Sequence, residues 1–224
     1  MLPESDERTL ELGKRFTTGK ECFPCVLTSG DLLKKVEEPG FDPSNAIFFM
    51  PTANGPCRFG QYYRLQRIIL NELGHKDVQI ISPSSGDSYS EFGDLPPSFR
   101  RAGWQALVVG DILHKLLHET RPYEVQKGET DRVYQECLQL MSKAIESRNG
   151  LVTEGMKEVK RRFGAIKIDR SERRPIIGVV GEIFLRSNRF SNAHVIERIE
   201  ALGGEAWLAS MSEWLFYVDW SRRQ

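Results

Sequence analysis

Residues 46–82 read AIFFMPTANGPCRFGQYYRLQRIILNELGHKDVQIIS. The continuous apolar run 46–50 predicts a buried strand. After a loop with Gly and Pro, residues 59–73 carry apolar side chains at helical spacing, and Gly74 ends the pattern. Residues 78–82 form a second apolar run. A strand, a helix and a strand in this order predict a βαβ unit and hence a parallel sheet.

A similar pattern recurs near the C-terminal end of the sequence. Residues 175–182 are an apolar run that enters a Gly-bearing turn, which predicts another buried strand. A helix is predicted to start at Ser191 or Asn192 and to end at Gly203, and residues 205–209 predict one more strand. Because two strands cannot close a doubly wound sheet, we expect this second unit to be incomplete in the chain.

Helical patterns fill the region between these two segments. The predicted helices cover 98–119, 129–147 and 151–163, and residues 4–16 and 26–38 add two earlier ones. The charged stretch 167–174 predicts a linker. We therefore predict an α/β fold of two parallel-sheet units joined by a helical block. The predicted cysteine-bearing α/β domain, with the helical block, covers 1–166, and 175–224 is the start of a second domain that we expect to be truncated.

Composition excludes several classes of function. The chain has 224 residues, with 31 basic and 31 acidic side chains and a net charge of 0. A balanced charge gives no support for nucleic-acid binding. The apolar runs are too short to span a membrane, and the polar start of the chain is not a secretory signal. With four cysteines, a disulfide scaffold is excluded, and a reducing cytoplasm is the expected compartment.

Three of the four cysteines lie in two loops that each precede a predicted helix. Cys22 and Cys25 form a C-x-x-C pair, and Cys57 follows the strand of the βαβ unit. A helix N-terminus stabilises a thiolate, and loops at the carboxyl ends of parallel strands converge. Close pairs with a distant third ligand are typical of iron–sulfur and zinc sites. Three ligands suit a cluster with an open iron, whereas structural zinc requires four.

Two other interpretations of these cysteines stay open. Cys22-Phe23-Pro24-Cys25 before a helix is similar to the C-x-P-C of thioredoxin-like oxidoreductases, although no apolar strand leads into it. The cysteines could also be small buried residues without chemistry. Cys137 lies within a predicted helix, where an inert buried thiol is the better interpretation.

Other polar patterns give weaker signals. His114 and His118 are four residues apart on a predicted helix, which indicates a helix face more than a metal pair, since no third ligand accompanies them. The charged turn Arg121–Glu124 either binds an anion or caps and bridges helices. The sequence contains no G-x-x-x-x-G-K-[ST], so the chain is not expected to be an ATPase.

Several of these motifs together resemble one family. They are the loop Glu21-Cys22-x-Pro24-Cys25, residues 48–51 with 55–62, the turn Arg121–Glu124, and residues 177–184 with 190–192. The chain resembles, from about Gly19 onward, the 2-hydroxyacyl-CoA dehydratase, benzoyl-CoA reductase and double-cubane cluster protein superfamily. It looks closest to the branch of activase-related, uncharacterised CoA-enzyme proteins.

The resemblance implies a function and a site. It implies two Rossmann-like (flavodoxin-like) domains, the second of them incomplete in this chain, with a [4Fe-4S] or double-cubane cluster between them and Cys22, Cys25 and Cys57 as ligands. It also implies electron transfer from a separate ATP-hydrolysing iron–sulfur activase, a homodimer or a related subunit, and an anaerobic setting. The chemistry of the family is reductive, through a ketyl radical or reduction of an inert small molecule. Relatives carry one more cysteine loop beyond the end of this chain.

The expected function is therefore that of the electron-accepting, substrate-reducing component of an ATP-dependent low-potential reductase or dehydratase-type system. Arg58, next to Cys57, would raise a cluster potential or steer an anionic substrate; a surface salt bridge is the alternative. Two competing classes are a non-enzymatic scaffold whose cysteines hold zinc or no metal, and a thiol–disulfide oxidoreductase that uses Cys22 and Cys25.

Overall fold

The chain forms two units, Met1–Leu95 and Pro96–Gln224. A computed structural model describes residues 2–53, 56–84, 97–147 and 150–223. Both units combine helices with a two-stranded parallel sheet within this described part, which confirms the predicted α/β class.

The first unit contains the predicted βαβ arrangement. Its elements are α1 (Glu7–Lys14), α2 (Phe23–Val36), β1 (Ile47–Phe49), α3 (Tyr62–Glu72) and β2 (Gln79–Ile81). β1 pairs with β2 in parallel, with Phe48 opposite Ile80. The core joins α2, α3 and the sheet through Leu33, Leu70 and Phe48. The parallel pairing predicted from residues 46–82 is confirmed.

Within the described part of the chain, one face of this sheet is exposed, which corrects the expectation of a fully buried strand. Phe48 is 8% exposed and packs into the core, whereas Ile47 is 62% exposed. Successive side chains of a strand point to opposite faces, and the core of α2 and α3 residues lies on one of them. A continuous apolar run therefore does not mean here that both faces are covered.

Two glycines let α1 and α2 approach at backbone contact. A Cβ on Gly13 of α1 would lie 2.0 Å from the carbonyl oxygen of Val26, and a Cβ on Gly30 of α2 would lie 1.9 Å from that of Thr9. No side chain fits at such distances. Asp31 on α2 reinforces the contact by accepting hydrogen bonds from Ser5 Oγ (2.8 Å) and Thr9 Oγ1 (3.0 Å).

The second unit is mostly helical. Its elements are α4 (Pro97–Thr120), α5 (Glu129–Glu146), α6 (Val152–Ala165), β3 (Ile176–Val179), α7 (Ile183–Ser187), α8 (Val195–Ala201), β4 (Glu205–Leu208) and α9 (Met211–Arg222). β3 pairs with β4 in parallel, with Gly178 opposite Trp207. Leu113, Cys137 and Val159 are among the buried residues that join α4, α5 and α6 in one core.

The helical block belongs to this second unit, because α4 contacts both β4 and α9. The division into 1–166 and 175–224 stays a prediction about domains. The prediction that the strand in 175–182 is buried is wrong, because Ile176 and Ile177 of β3 are exposed. Of the residues of β3, only Val179 is buried.

Within residues 2–53, 56–84, 97–147 and 150–223, no helix has the length and apolar character needed to cross a bilayer.

The close contact at Gly30 predicts that one added methyl group destabilises the first unit. Gly30→Ala should destabilise the first unit by more than about 2 kcal/mol, because the new methyl group would overlap the Thr9 carbonyl. Urea unfolding followed by circular dichroism would measure this loss. Gly103→Ala on α4, where nothing lies within 4 Å of the added Cβ, is the control and should be neutral or slightly stabilising. Equal stabilities of the two variants would contradict the close helix contact.

Candidate functional site

Cys22 and Cys25 lie at the start of α2. Cys22 is the N-cap residue, with extended backbone, and its carbonyl accepts a hydrogen bond from the Cys25 N–H (2.8 Å). Pro24 occupies the first turn, where its missing N–H costs nothing. The Cys22 side chain makes no capping hydrogen bond. The two thiols are thus three residues apart, one at the N-cap and one in the first turn of α2, at the helix start that the sequence predicted.

Glu21 organises the loop before this helix. Its carboxylate accepts hydrogen bonds from the backbone N–H groups of Thr18 (2.9 Å) and Lys20 (3.1 Å) and from the Thr18 hydroxyl (3.2 Å). Backbone hydrogen bonds, with its own N–H first, lower the pKa of Glu21. A negative charge is therefore fixed next to the C-x-x-C pair.

Cys57 lies at the end of the second loop. It is exposed and is the N-cap residue of the short 3₁₀ turn Arg58–Gln61 that leads into α3, but its side chain makes no capping hydrogen bond. Thr52 extends the sheet edge before this loop, because its N–H donates to the Pro83 carbonyl (3.0 Å). A Cβ on Gly60 would lie 2.5 Å from the Ala53 carbonyl oxygen, so the loop closes tightly only with glycine there. Asn54 and Gly55 of the motif lie outside the described residues.

One hydrogen bond joins the two cysteine loops. Arg58 Nη1 donates to the backbone carbonyl of Lys20 over 2.6 Å. Arg58 follows Cys57 directly, and Lys20 lies two residues before Cys22. The prediction that these loops meet is supported by this bond, and the salt bridge considered for Arg58 is replaced by a bond to a neutral carbonyl.

The thiol of Cys25 is buried, with 3% exposure. Burial, and next the charge of Glu21, raise the pKa of Cys25 to about 11, while Ser29 and Arg58 act in the opposite direction. The expectation that the helix N-terminus would favour a thiolate does not hold at this position, because loss of solvent outweighs the dipole.

Ser29 is a feature that the sequence did not reveal. It is fully buried one helical turn after Cys25. A hydrogen bond from its hydroxyl lowers the pKa of the Cys25 thiol, against the effect of burial. Because an O–H donor favours an electron-rich sulfur, Ser29 fits a thiolate ligand at Cys25 better than a neutral thiol.

The three thiols do not converge on one point. All four cysteines are free, and among the described residues no group of three His, Cys, Asp or Glu side chains is arranged to hold a metal ion. The donors themselves fit iron and zinc, which prefer cysteine sulfur. The structure therefore provides two touching loops with three soft donors, but not a closed coordination sphere.

The approach to the C-x-x-C pair differs from that of thioredoxin-like proteins. The residues before α2 form helix α1 and a loop, and the apolar strand which that fold requires is not there. Cys137 is buried in the core of α4, α5 and α6, as expected for an inert thiol.

The charged turn Arg121–Glu124 is a bridge in the second unit. Arg121 donates to both carboxylate oxygens of Glu200 (2.7 and 3.0 Å) and to Asp131 Oδ1 (2.8 Å). The Tyr123 hydroxyl donates to Glu205 (2.7 Å). Of the two alternatives for this turn, the bridging role is the one that its contacts support.

No protein-family model, no curated protein and no solved structure matches this chain.

Thiol reactivity tests the burial of the two loops. With Ellman's reagent, the exposed Cys57 should react first and the partly exposed Cys22 next, because exchange depends on access and thiolate fraction. Cys25 and Cys137 should react only on unfolding. Cys57→Ala should remove the fastest phase, and a Cys25 that reacts as fast as Cys57 would contradict its burial.

A second prediction concerns the cap of α5 by Glu124. Burial alone would raise the pKa of Glu124, but hydrogen bonds from the N–H groups of Thr130 and Gly128 outweigh it and lower the pKa below the ordinary 4.5. The carboxylate therefore contributes stability that is present at neutral pH and lost as the pH falls through and below about 4.5. Glu124→Gln should cost about 2 kcal/mol at pH 7.

Urea unfolding at pH 7 and at pH 3.5 would measure both effects. The difference in unfolding free energy between Glu124→Gln and the parent chain should shrink at the lower pH. A constant difference would show that the carboxylate charge has no part in the cap. Glu154→Gln, a change in an exposed i,i+3 pair with Lys157, is the control and should have little effect.

Proposed function

We propose that Cys22, Cys25 and Cys57 hold an iron–sulfur cluster. On this proposal the protein is the electron-accepting, substrate-reducing component of an ATP-dependent low-potential reductase or dehydratase-type system. The observation that carries the proposal is the Arg58–Lys20 hydrogen bond, which ties the loop of Cys57 to the loop of Cys22 and Cys25.

The chemistry of the donors supports this choice. Iron–sulfur clusters are held by cysteine thiolates, and the three cysteines are free. Three protein ligands leave one position open for substrate, whereas a structural zinc site would be closed by four. The cluster, when bound, would supply one-electron reduction at potentials down to about −700 mV.

The residues around the thiols would set the reduction potential of such a cluster. Burial of Cys25 keeps water from one ligand, and Ser29 offers a hydroxyl donor to its sulfur. Arg58 places a positive charge beside Cys57, and Glu21 places a negative charge beside Cys25. A positive charge and N–H donors raise a cluster potential, while burial and a nearby carboxylate lower it.

We also propose that both units are Rossmann-like and that the chain is related to the 2-hydroxyacyl-CoA dehydratase, benzoyl-CoA reductase and double-cubane cluster proteins. The two parallel strand pairs support this, as does the position of Cys57 after the carboxyl end of β1. In open α/β sheets, that edge is where ligands bind.

The proposed system needs a second protein. The sequence has no phosphate-binding loop of the G-x-x-x-x-G-K-[ST] type. The ATP-dependent step is therefore assigned to a separate ATP-hydrolysing iron–sulfur activase that donates the electron. A homodimer or a related subunit, and an anaerobic cytoplasm, complete the proposal.

Reconstitution of the chain with iron and sulfide under anaerobic conditions tests the proposal. The parent chain should bind about four or more irons per chain, with absorption near about 400 nm that dithionite bleaches. Cys57→Ala should lose the bound iron. Cys137→Ala is the matched control, since it removes a thiol from a helical core, and it should keep the iron.

Two other outcomes would replace the proposal. Binding of zinc, or of no metal, by a folded chain would indicate a non-enzymatic scaffold. A Cys22–Cys25 disulfide that forms and breaks with dithiol, unchanged in Cys57→Ala, would indicate a thiol–disulfide oxidoreductase.

A further inference from the structure

A polar stripe on α4 faces a cavity in the second unit. Asp111, His114, Lys115, His118 and Glu119 recur at helical spacing and line this cavity, which has a volume of about 510 Å³. Buried apolar residues of α4 pack instead with α5 and α6; they are Val109 and Leu113. One face of the helix therefore builds the core, and another presents charged and imidazole groups to a space large enough for a small ligand.

The cavity lies where parallel sheets bind ligands. Its other wall comes from β4 and from residues 209–213, which link the carboxyl end of that strand to the start of α9. Ligands of open α/β sheets occupy the crevice outside the carboxyl ends of the strands. The cavity residues belong to the second unit, whereas the cysteine loops belong to the first.

His118 is a buried polar group of the cavity wall. It is 6% exposed and lines the cavity, and its ring stacks on that of His114 with 6.1 Å between the ring centroids. Burial, and next the charge of Arg121, lower the pKa of His118 to about 4, so the ring is neutral at pH 7. A neutral imidazole has one nitrogen that accepts a hydrogen bond. Such a group in a cavity wall is suited to accept one from a ligand.

Lys115 already places an ammonium group against an aromatic ring in this cavity. Its Nζ lies 4.9 Å from the centroid of the Trp207 ring and 3.6 Å from Glu119 Oε1. An ammonium over an indole face is attracted by the ring quadrupole, and the carboxylate adds to this attraction. The side chain is more than half exposed, so it can leave.

The charges of the lining favour a cation. Among the described residues that line the cavity, Lys115 is the one Lys or Arg, while Asp111, Glu119, Glu205 and Glu213 are acidic. Asp111 accepts hydrogen bonds from the N–H groups of Met211 (3.0 Å) and Ser212 (2.8 Å), and Glu205 accepts one from Tyr123. These bonds hold the carboxylates in place, and the surplus of negative charge disfavours anionic ligands.

We propose that this cavity binds a primary organic ammonium with an apolar body. Its ammonium group takes the place of the Lys115 ammonium over Trp207 and donates a hydrogen bond to the ring of His118. The apolar body contacts the aliphatic part of the lining, to which Leu107 and Ile112 belong. Lys115 thus acts as an internal competitor that occupies the site when no ligand is there.

Titration calorimetry of the full chain at pH 7 tests this, with benzylammonium as the probe. Benzyl alcohol and benzoate have a similar size and shape but carry no charge or a negative charge. Benzylammonium should bind saturably, and both analogues should bind at least about tenfold more weakly, since a desolvated cation–π contact is worth about that factor.

Two variants should change the affinity for benzylammonium in opposite directions. Lys115→Met should bind benzylammonium about threefold to tenfold more tightly, because the internal competitor is removed. Trp207→Leu should bind it about tenfold more weakly. Trp104→Leu is the control, since Trp104 is an exposed tryptophan of α4 outside the lining, and it should leave the affinity unchanged.

Lys115 is exposed, so its variant tests the proposal even where Trp207→Leu fails to fold. Benzoate that binds as tightly as benzylammonium would overturn the proposal, and so would weaker binding of benzylammonium by Lys115→Met. The absence of saturable binding by the parent chain and by Lys115→Met would overturn it as well. Iron binding at the cysteine loops is unaffected by any of these outcomes.

Discussion

The backbone contact between α1 and α2 is the constraint on which the cysteine site depends. Gly13 and Gly30 allow the two helices to approach until each glycine Cα faces a carbonyl oxygen of the other helix, at a distance that excludes any Cβ. This contact sets the position of α2. The first turn of α2 carries Cys22 and Cys25. A small shift of the helix would move both thiols, because protein interiors transmit strain and do not absorb it.

The site then depends on a balance between burial and charge. Burial and Glu21 oppose ionisation of the Cys25 thiol, while Arg58 and Ser29 favour it. Ligation of iron requires the thiolate, so the proposed cluster would have to supply the free energy of this deprotonation. The Arg58–Lys20 hydrogen bond joins the loop of Cys57 to the loop of Cys22 and Cys25, and the buried hydroxyl of Ser29 provides a donor that a thiolate would use.

Local signals in the sequence predicted most of the elements, but not α7, and α8 begins at Val195 and not at Ser191 or Asn192. Apolar periodicity and Gly74 marked α3, and the order of strand, helix and strand implied the parallel pairing of β1 with β2. Burial was less predictable, because an apolar run such as 47–49 does not show whether both faces of its strand are covered. Contacts between residues far apart in sequence, such as Arg58 with Lys20, have no signature in a single sequence. The spacing of His114 and His118 in the sequence indicated the polar stripe on α4. That this stripe faces a cavity could not be predicted, because the other wall of the cavity comes from β4.

Iron K-edge X-ray absorption of the anaerobically reconstituted chain tests most directly whether the two cysteine loops form one cluster site. We predict a first shell of sulfur and a second shell of iron, which only a bridged cluster provides. In Cys57→Ala the iron–iron shell should be lost or reduced. A first shell of oxygen and nitrogen without an iron neighbour would mean that the iron is bound adventitiously and that the loops serve another purpose.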